Sequence, residues 1–115
     1  MTVDDIAKIL NAEAFACSEL MESTEIHSAC GSDMMSDVLA YVKDQGLLLT
    51  GLVNPQVVRT AEMMDIACVV FVRGKRPDQM VIDAATNKNI ILLGTTERMY
   101  QACGKLYSAG LDVGE

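Results

Sequence analysis

The sequence has little of what nucleic-acid-binding proteins rely on. It contains no tryptophan, aromatic residues make up 4% of it, and its formal net charge is −7. Nonspecific binding to DNA or RNA is driven by basic residues that neutralise phosphates, so an acidic chain with few aromatic residues is a poor candidate. We therefore predict no nucleic-acid partner.

Long hydrophobic runs are also lacking. No apolar stretch approaches the roughly 20 residues that span a bilayer, and residues 1–5 are acidic where a signal peptide is basic. We predict that the protein is cytoplasmic and does not insert into a membrane.

Residues that build metal sites and catalytic centres are few. His27 is the only histidine, and no two of the four cysteines form a C-x-x-C pair. The cysteines are Cys17, Cys30, Cys68 and Cys103. Because zinc and iron–sulfur sites usually use short local spacings, we predict reduced core cysteines, no metal and no cofactor. The sequence also has no G-x-x-x-x-G-K-[ST] phosphate loop, and we predict that it is not an enzyme. The alternative is an enzyme centred on Cys30 or His27.

The pattern of hydrophobic residues predicts one α/β domain over residues 1–115. Half of the residues are hydrophobic, and 115 residues suffice for one core but not two. Thr2 is expected to cap a first helix that ends at Asn11. The predicted strands cover residues 12–17, 26–30, 47–50, 66–72 and 90–93, and the later helices cover 57–64, 80–85 and 99–106. Several of these runs lack polar alternation, which is typical of a mostly parallel sheet flanked by helices on both faces.

Helix starts are also predicted from local signals. Asn54-Pro55 and Arg76-Pro77 each place proline at the expected first helical residue. Ser32 or Asp33 is expected to cap another helix, and we interpret the acidic residues there as its solvated start. One face of that helix is predicted to hold Met35, Val38, Leu39 and Val42.

The loops after three predicted parallel strands are expected to share one edge of the sheet, where ligands collect in open α/β proteins. Each loop precedes a helix N-terminus, whose free N–H groups suit an anion, and three bases lie within residues 73–76. The predicted ligand-binding residues are Gly51, Asn54, Arg73, Gly74, Lys75, Arg76, Thr95 and Thr96. The alternative is that the glycines only turn the chain and the bases are solvated.

The chain contains eight methionines, and outward-facing methionines can form an adaptable contact surface. In Met34-Met35 and in Met63-Met64 the neighbours point about 100° apart on a helix, so one of each pair is free to face outward. We predict Met34 and Met64 as interface residues, with core filling as the alternative.

Negative charge is concentrated in the first part of the chain. Residues 1–44 contain nine acidic and two basic residues, and residues 45–115 contain seven of each. The acidic residues Asp4, Asp5, Glu13, Glu19, Glu22 and Glu25 suit a basic partner protein. A ligand-free adaptor that docks on a redox or signalling enzyme through this part is the second functional hypothesis.

Two segments resemble the DRTGG family of bacterial regulatory modules. One is 54–93, which includes NPQVV, IACVVFVRGKRP and NIILL, and the other is CGSDMMSDVLA at 30–40. Where the family has Asp-Arg this chain has Val53-Asn54, and where the family has Thr-Gly-Gly it has Val72-Arg73-Gly74. The likeness covers nearly the whole chain and extends to the N-terminal domain of HPr kinase/phosphorylase.

The resemblance implies the α/β fold, a regulatory setting and a homodimer. It implies no catalytic residue and no settled ligand. Our first hypothesis is therefore a dimeric regulatory module in which a nucleotide or phosphorylated metabolite, bound at the strand-end loops, shifts the equilibrium between arrangements of the dimer.

Overall fold

A computed structural model describes residues 1–41 and 46–112 of the chain. Five strands form one sheet in the order β1-β5-β4-β3-β2. The strands are β1 (Glu13–Ala16), β2 (Ala29–Gly31), β3 (Leu47–Thr50), β4 (Cys68–Phe71) and β5 (Ile91–Gly94). The helices are α1 (Val3–Leu10), α2 (Met35–Tyr41), α3 (Pro55–Met63), α4 (Gln79–Asn87) and α5 (Met99–Ser108), with a 3₁₀ turn at Ser18–Leu20. The predicted α/β class with a mostly parallel sheet is confirmed.

The centre of the sheet is buried on both faces. Strands β2, β3, β4 and β5 are parallel to their neighbours, and every residue of β3, β4 and β5 is buried. β1 is the exception, because it runs antiparallel to β5 at the edge of the sheet. Unbroken apolar strands of this kind require helices on both sides.

The helices form two groups. α3 contacts both α2 and α4, and α1 contacts α5. Each of α2, α3 and α4 connects neighbouring parallel strands in one direction across the sheet, so right-handed crossovers place these three helices on the same face. α1 and α5 then cover the other face, with α5 packed against β3.

Helix α1 follows its sequence signals closely. The Thr2 hydroxyl accepts from the Asp5 N–H at 3.1 Å, and the Asp5 carboxylate accepts from the Thr2 N–H at 3.0 Å. The predicted core residues Val3, Ile6, Ala7 and Leu10 are all buried. Asn11 ends the helix in the left-handed conformation, as expected.

One proline prediction is confirmed and the other is wrong. Pro55 is the first residue of α3, and Asn54 caps it. Pro77 instead lies before the cap of α4, because Asp78 takes that position and its carboxylate accepts from the Val81 N–H at 3.1 Å. An aspartate side chain satisfies a free N–H at the helix start, which proline does not.

Helix α2 and strand β2 also differ from the prediction. Met35 and Val38 are buried as expected, but the Leu39 side chain is 44% exposed, and Val42 lies outside the described residues. β2 has three residues, Ala29–Gly31, where the pattern predicted a strand over residues 26–30. Ile26 lies before the strand but is buried. No helix within the described ranges is long and apolar enough to cross a membrane.

Candidate functional site

The three loops predicted to hold a ligand begin side by side. Thr50, Phe71 and Gly94, the last residues of β3, β4 and β5, are neighbours in the parallel register. The Gly74 N–H donates to the Thr95 carbonyl at 2.9 Å, which ties the loop after β4 to the loop after β5. We call the loops that leave the sheet here, residues 32–34, 51–54, 72–78 and 95–98, the carboxyl edge.

Asp33 joins two loops of the carboxyl edge, a role that the sequence analysis missed. Its Oδ1 accepts from Thr50 Oγ1 at 3.0 Å and from the Gly51 N–H at 2.7 Å. Its Oδ2 lies 3.7 Å from Nη2 of Arg73. Ser32 accepts from the backbone N–H two residues later, so Asp33 is free to reach across to β3. The carboxylate is therefore part of the edge and not a solvated helix start.

Arg73 reaches from the loop after β4 toward β2 and β3. Its backbone has φ +61°, a conformation that residues other than glycine seldom adopt. A methyl group at Gly51 would collide with the Arg73 guanidinium, so the glycine leaves the room that this side chain occupies. The Arg73 N–H donates to the Glu97 carbonyl at 2.8 Å. Because the N–H groups of Arg73 and Gly74 both have carbonyl partners, neither offers a free donor to an anion.

Arg76 is held by strand β1. It forms an ion pair with Glu13, and its guanidinium carbon lies 4.8 Å from the centroid of the Phe15 ring. The Phe15 ring fills the space that a side chain at Gly94 would take. Lys75 is exposed, and it makes no ion pair with any residue in the described part of the chain. Of the three predicted bases, Lys75 thus has the charge that is free for a ligand.

A pocket of about 150 Å³ opens beside these residues. It is lined by Asn11, Glu13, Phe15, Gly74, Lys75, Arg76, Gly94, Thr95 and Thr96. We call it the edge pocket. Two positive side chains and one negative side chain line it, which leaves one net positive charge. Drug-sized ligands usually occupy roughly 300–1,000 Å³, so the edge pocket fits one phosphate-sized group.

The structure brings five of the eight predicted ligand residues into the edge pocket and leaves three outside it. Gly51 and Arg73 belong to the Asp33 network on the β3 side. The Asn54 side chain caps α3 by accepting from the Gln56 N–H at 3.0 Å. Local sequence signals do not divide these eight residues, because the division depends on which arginine pairs with which acid.

The two threonines of the loop after β5 differ in availability. Thr95 is buried; its hydroxyl donates to the Leu10 carbonyl at 2.8 Å and accepts from the Glu97 N–H at 3.2 Å. Thr96 is exposed at the pocket. Thr95 therefore anchors the loop to α1, and Thr96 is the threonine with a hydroxyl open to a ligand.

The methionines predicted to form an interface lie apart. Met34, just before α2, is 61% exposed, but Met64 is half buried against the core, so the outward methionine of the second pair is Met63 at 72%. The prediction that Met64 faces outward is wrong. α2 and α3 both run away from the carboxyl edge, so Met34 and Met64 lie at opposite ends of this helix layer.

Most of the acidic residues of the adaptor hypothesis have partners within the domain. Asp4 forms an ion pair with Lys8 at 3.1 Å, and Asp5 caps α1. Glu13 holds Arg76, and Glu25 lies 3.2 Å from the amino group of Met1. A surface whose charges are already paired attracts a basic partner weakly.

The cysteines are free thiols in apolar surroundings. Cys17 and Cys68 are buried, Cys30 and Cys103 are half buried, and burial raises the pKa of all four thiols. Over residues 1–41 and 46–112, no three His, Cys, Asp or Glu side chains cluster as a metal site would require.

Comparison with known proteins identifies a family and a solved structure of similar fold. The family model described as the DRTGG domain matches residues 5–109. A crystal structure of the CBS and DRTGG domains of the regulatory region of Clostridium perfringens pyrophosphatase, complexed with the activator diadenosine tetraphosphate, superposes with a TM-score of 0.74 at 16% sequence identity. The match covers 91% of this chain and 45% of that chain, so this chain spans about half the length of that relative. No curated protein matches the sequence.

Proposed function

Because the chain belongs to the DRTGG family of regulatory domains, we propose that it is a non-catalytic sensor module that acts as a homodimer. In this proposal a small anionic ligand, a nucleotide or a phosphorylated metabolite, binds at the edge pocket and shifts the equilibrium between arrangements of the dimer. The ligand contacts are Lys75, Arg76 and Thr96.

The observation that carries the proposal is the edge pocket itself. It lies where ligands collect in open α/β sheets, at the carboxyl ends of the strands. Lys75 brings a positive charge that no acid of the described residues neutralises, and Thr96 brings a hydroxyl. A positive charge beside a hydroxyl favours an oxyanion.

The size of the edge pocket limits what enters it. At about 150 Å³ it admits one phosphoryl group and leaves the rest of a larger ligand at the surface. The fold relative is complexed with diadenosine tetraphosphate, a nucleotide with a chain of phosphates. That compound is therefore the first to test.

Thermal unfolding with added compounds tests the proposal. The compounds are diadenosine tetraphosphate, ATP, AMP, acetyl phosphate and inorganic phosphate. At 100 times its dissociation constant, a ligand stabilises the folded state by about 2.7 kcal/mol, so a single active compound raises the midpoint clearly.

The variant Lys75→Ala is expected to lose this shift. Lys88→Ala is the matched control, because Lys88 pairs with Glu62 far from the carboxyl edge, and it should keep the shift. If no compound raises the midpoint, or if Lys75→Ala responds like the unchanged protein, the ligand proposal is wrong.

A further inference from the structure

The outer face of α5 exposes two large aromatic side chains. Tyr100 is 89% exposed and Tyr107 is 67% exposed. At about 100° per residue, these tyrosines and Gly104 point away from the buried Ala102 and Leu106. Nothing lies within 4 Å of the place a Cβ at Gly104 would take, so the glycine opens to solvent between the tyrosines. The buried residues of α5 account for its packing on the sheet, but they do not account for two exposed tyrosines on its opposite face.

A groove runs beside this face, between α5 and the end of α1. Its volume is about 790 Å³, and Ile9 from α1 forms its far wall. The remaining lining comes from α5, namely Tyr100, Gln101, Cys103, Gly104, Lys105, Tyr107 and Ser108. A tyrosine ring projecting from another molecule fits a groove of this size and composition.

We infer that the outer face of α5 is the dimer interface and that a second copy of this chain occupies the groove. The inference rests on the homodimer of the proposed function and names its surface. Symmetric dimers use the same patch on both copies, so the patch must complement itself. Tyr100 lies four residues before Gly104 and Tyr107 three residues after it. Two antiparallel α5 helices that cross at Gly104 therefore bring Tyr100 of one copy beside Tyr107 of the other.

Charge favours this face over the methionine surface. Each copy has a net charge of −7, so an interface must lie where acids are few. α5 contains no Asp or Glu, and its single base, Lys105, pairs with Glu97. The exposed Met34 and Leu39, in contrast, lie among Asp33 and Asp37. Two copies meet on α5 without bringing like charges together.

The exposed tyrosines supply a large part of the area that a stable dimer needs. A fully buried tyrosine covers about 150–250 Å², and at the observed exposures four tyrosines in the dimer bury roughly 500–800 Å². Stable interfaces bury about 1,200 Å² or more in total. The tyrosines thus supply about half of that area.

Sedimentation equilibrium of the full chain tests the inference. The unchanged protein is expected to have twice the mass of the 12.4 kDa chain. The double variant Tyr100→Glu/Tyr107→Glu should dimerise at least about 100-fold more weakly, since buried tyrosines are typical interface hot spots. The circular dichroism of this variant should match that of the unchanged protein, because both tyrosine side chains are exposed in the single chain.

Gly104→Glu is the second variant. The glutamate side chain has room at this site, so the variant is expected to fold. The site is open, and any residue other than proline raises the helix propensity above that of glycine. This variant should also be monomeric. Met63→Glu, which places a charge at an equally exposed site on α3, is the matched control and should remain a dimer.

The outcomes separate this inference from the proposed function. If the unchanged protein is a monomer, the homodimer and its α5 interface are both wrong, while ligand binding is judged by the thermal shift alone. If the double variant and Gly104→Glu both stay dimeric, the homodimer holds and the α5 assignment is wrong.

Discussion

At the scale of single residues, Arg73 has the most demanding position in the carboxyl edge. Its left-handed backbone sends the N–H to Glu97 and the guanidinium toward Asp33, across Gly51. The ion pair with Asp33 is half exposed, so it contributes at most about 1 kcal/mol. The left-handed conformation costs a non-glycine residue about 1–2 kcal/mol, which is at least as much. The ion pair and the backbone conformation of Arg73 together therefore give no net gain in the free energy of unfolding.

Replacement of Arg73 by glycine and by alanine separates the two effects. Both variants lose the ion pair, but only Arg73→Gly relieves the backbone, so it should be more stable than Arg73→Ala by about 0.5–1 kcal/mol in urea unfolding. Lys75, which is not among the left-handed residues, is the matched site. At that site Lys75→Ala should be more stable than Lys75→Gly. If glycine is the more stable replacement at both residues, or alanine at both, the left-handed backbone of Arg73 is not the cause.

Asp5 gives α1 a dependence on pH. The Thr2 backbone N–H, then its hydroxyl, lowers the pKa of the Asp5 carboxyl below 3.8. A carboxylate whose folded pKa is depressed stabilises the fold above its unfolded pKa and loses that effect as pH falls through the folded value. The midpoint difference between the unchanged protein and Asp5→Ala should be largest near neutral pH and shrink as the pH falls through the lowered folded pKa of Asp5. Thermal unfolding across this range checks it, and a constant difference would contradict it.

At the scale of elements, strand β1 is held by β5 and by the loop after β4. It is an edge strand whose antiparallel pairing with β5 shifts register between Ala14 and Ala16. Phe15 lies at that irregularity, where its ring covers Gly94 and contacts Arg76. These contacts hold β1 against the wall of the edge pocket, so the pocket depends on the placement of Phe15.

Gly94→Ala should displace the Phe15 ring. The added methyl overlaps the ring, and overpacking of this kind costs about 1–3 kcal/mol. In a Phe15→Ala background the same substitution should cost little, with a coupling energy of at least about 0.5 kcal/mol in urea unfolding. Equal costs in both backgrounds would show that the ring is not the obstacle.

The elements differ in how far the sequence alone predicts them. The bounds predicted for β3 match the structure, because three buried leucines and Thr50 stand between the turn signals Gly46 and Gly51. The start of α4 was predicted two residues early, at Pro77 instead of Gln79, because Pro77 and Asp78 are adjacent and each is a good start signal. The ion pair of Arg76 with Glu13 holds the residues just before α4 against β1. This tertiary contact is not visible in the local sequence.

At the scale of the whole molecule, strand order decides what the site contains. A parallel sheet places loops 51–54, 72–78 and 95–98 at one edge, so their proximity was predictable from the sequence. The order β1-β5-β4-β3-β2 was not, because no local signal fixes which strands are neighbours. That order puts Glu13 beside Arg76 and Asp33 beside Arg73, and these two pairs leave Lys75 as the free base.

Cys68 reports on the cooperativity of the whole fold. It is fully buried on β4, the middle strand, and burial raises the pKa of its thiol. A thiol reagent should therefore reach it only through global unfolding, with a free energy of opening equal to that from urea unfolding.

Cys103, half buried on α5, should react through smaller openings at a lower free energy. Peptide mapping after timed labelling distinguishes the two sites. Equal rates at Cys68 and Cys103 would mean that the sheet does not unfold as one unit.

The pairing of β1 with β5 also sets the order in which the chain assembles during translation. β1 and α1 are made first, yet their partners β5 and α5 come from residues 91–108. Until those residues leave the ribosome, Phe15 and the apolar face of α1 have no surface to cover them. Within this domain, the pairing of β1 therefore has to wait for a strand that is synthesised about 75 residues later, and contacts of such high sequence separation slow folding.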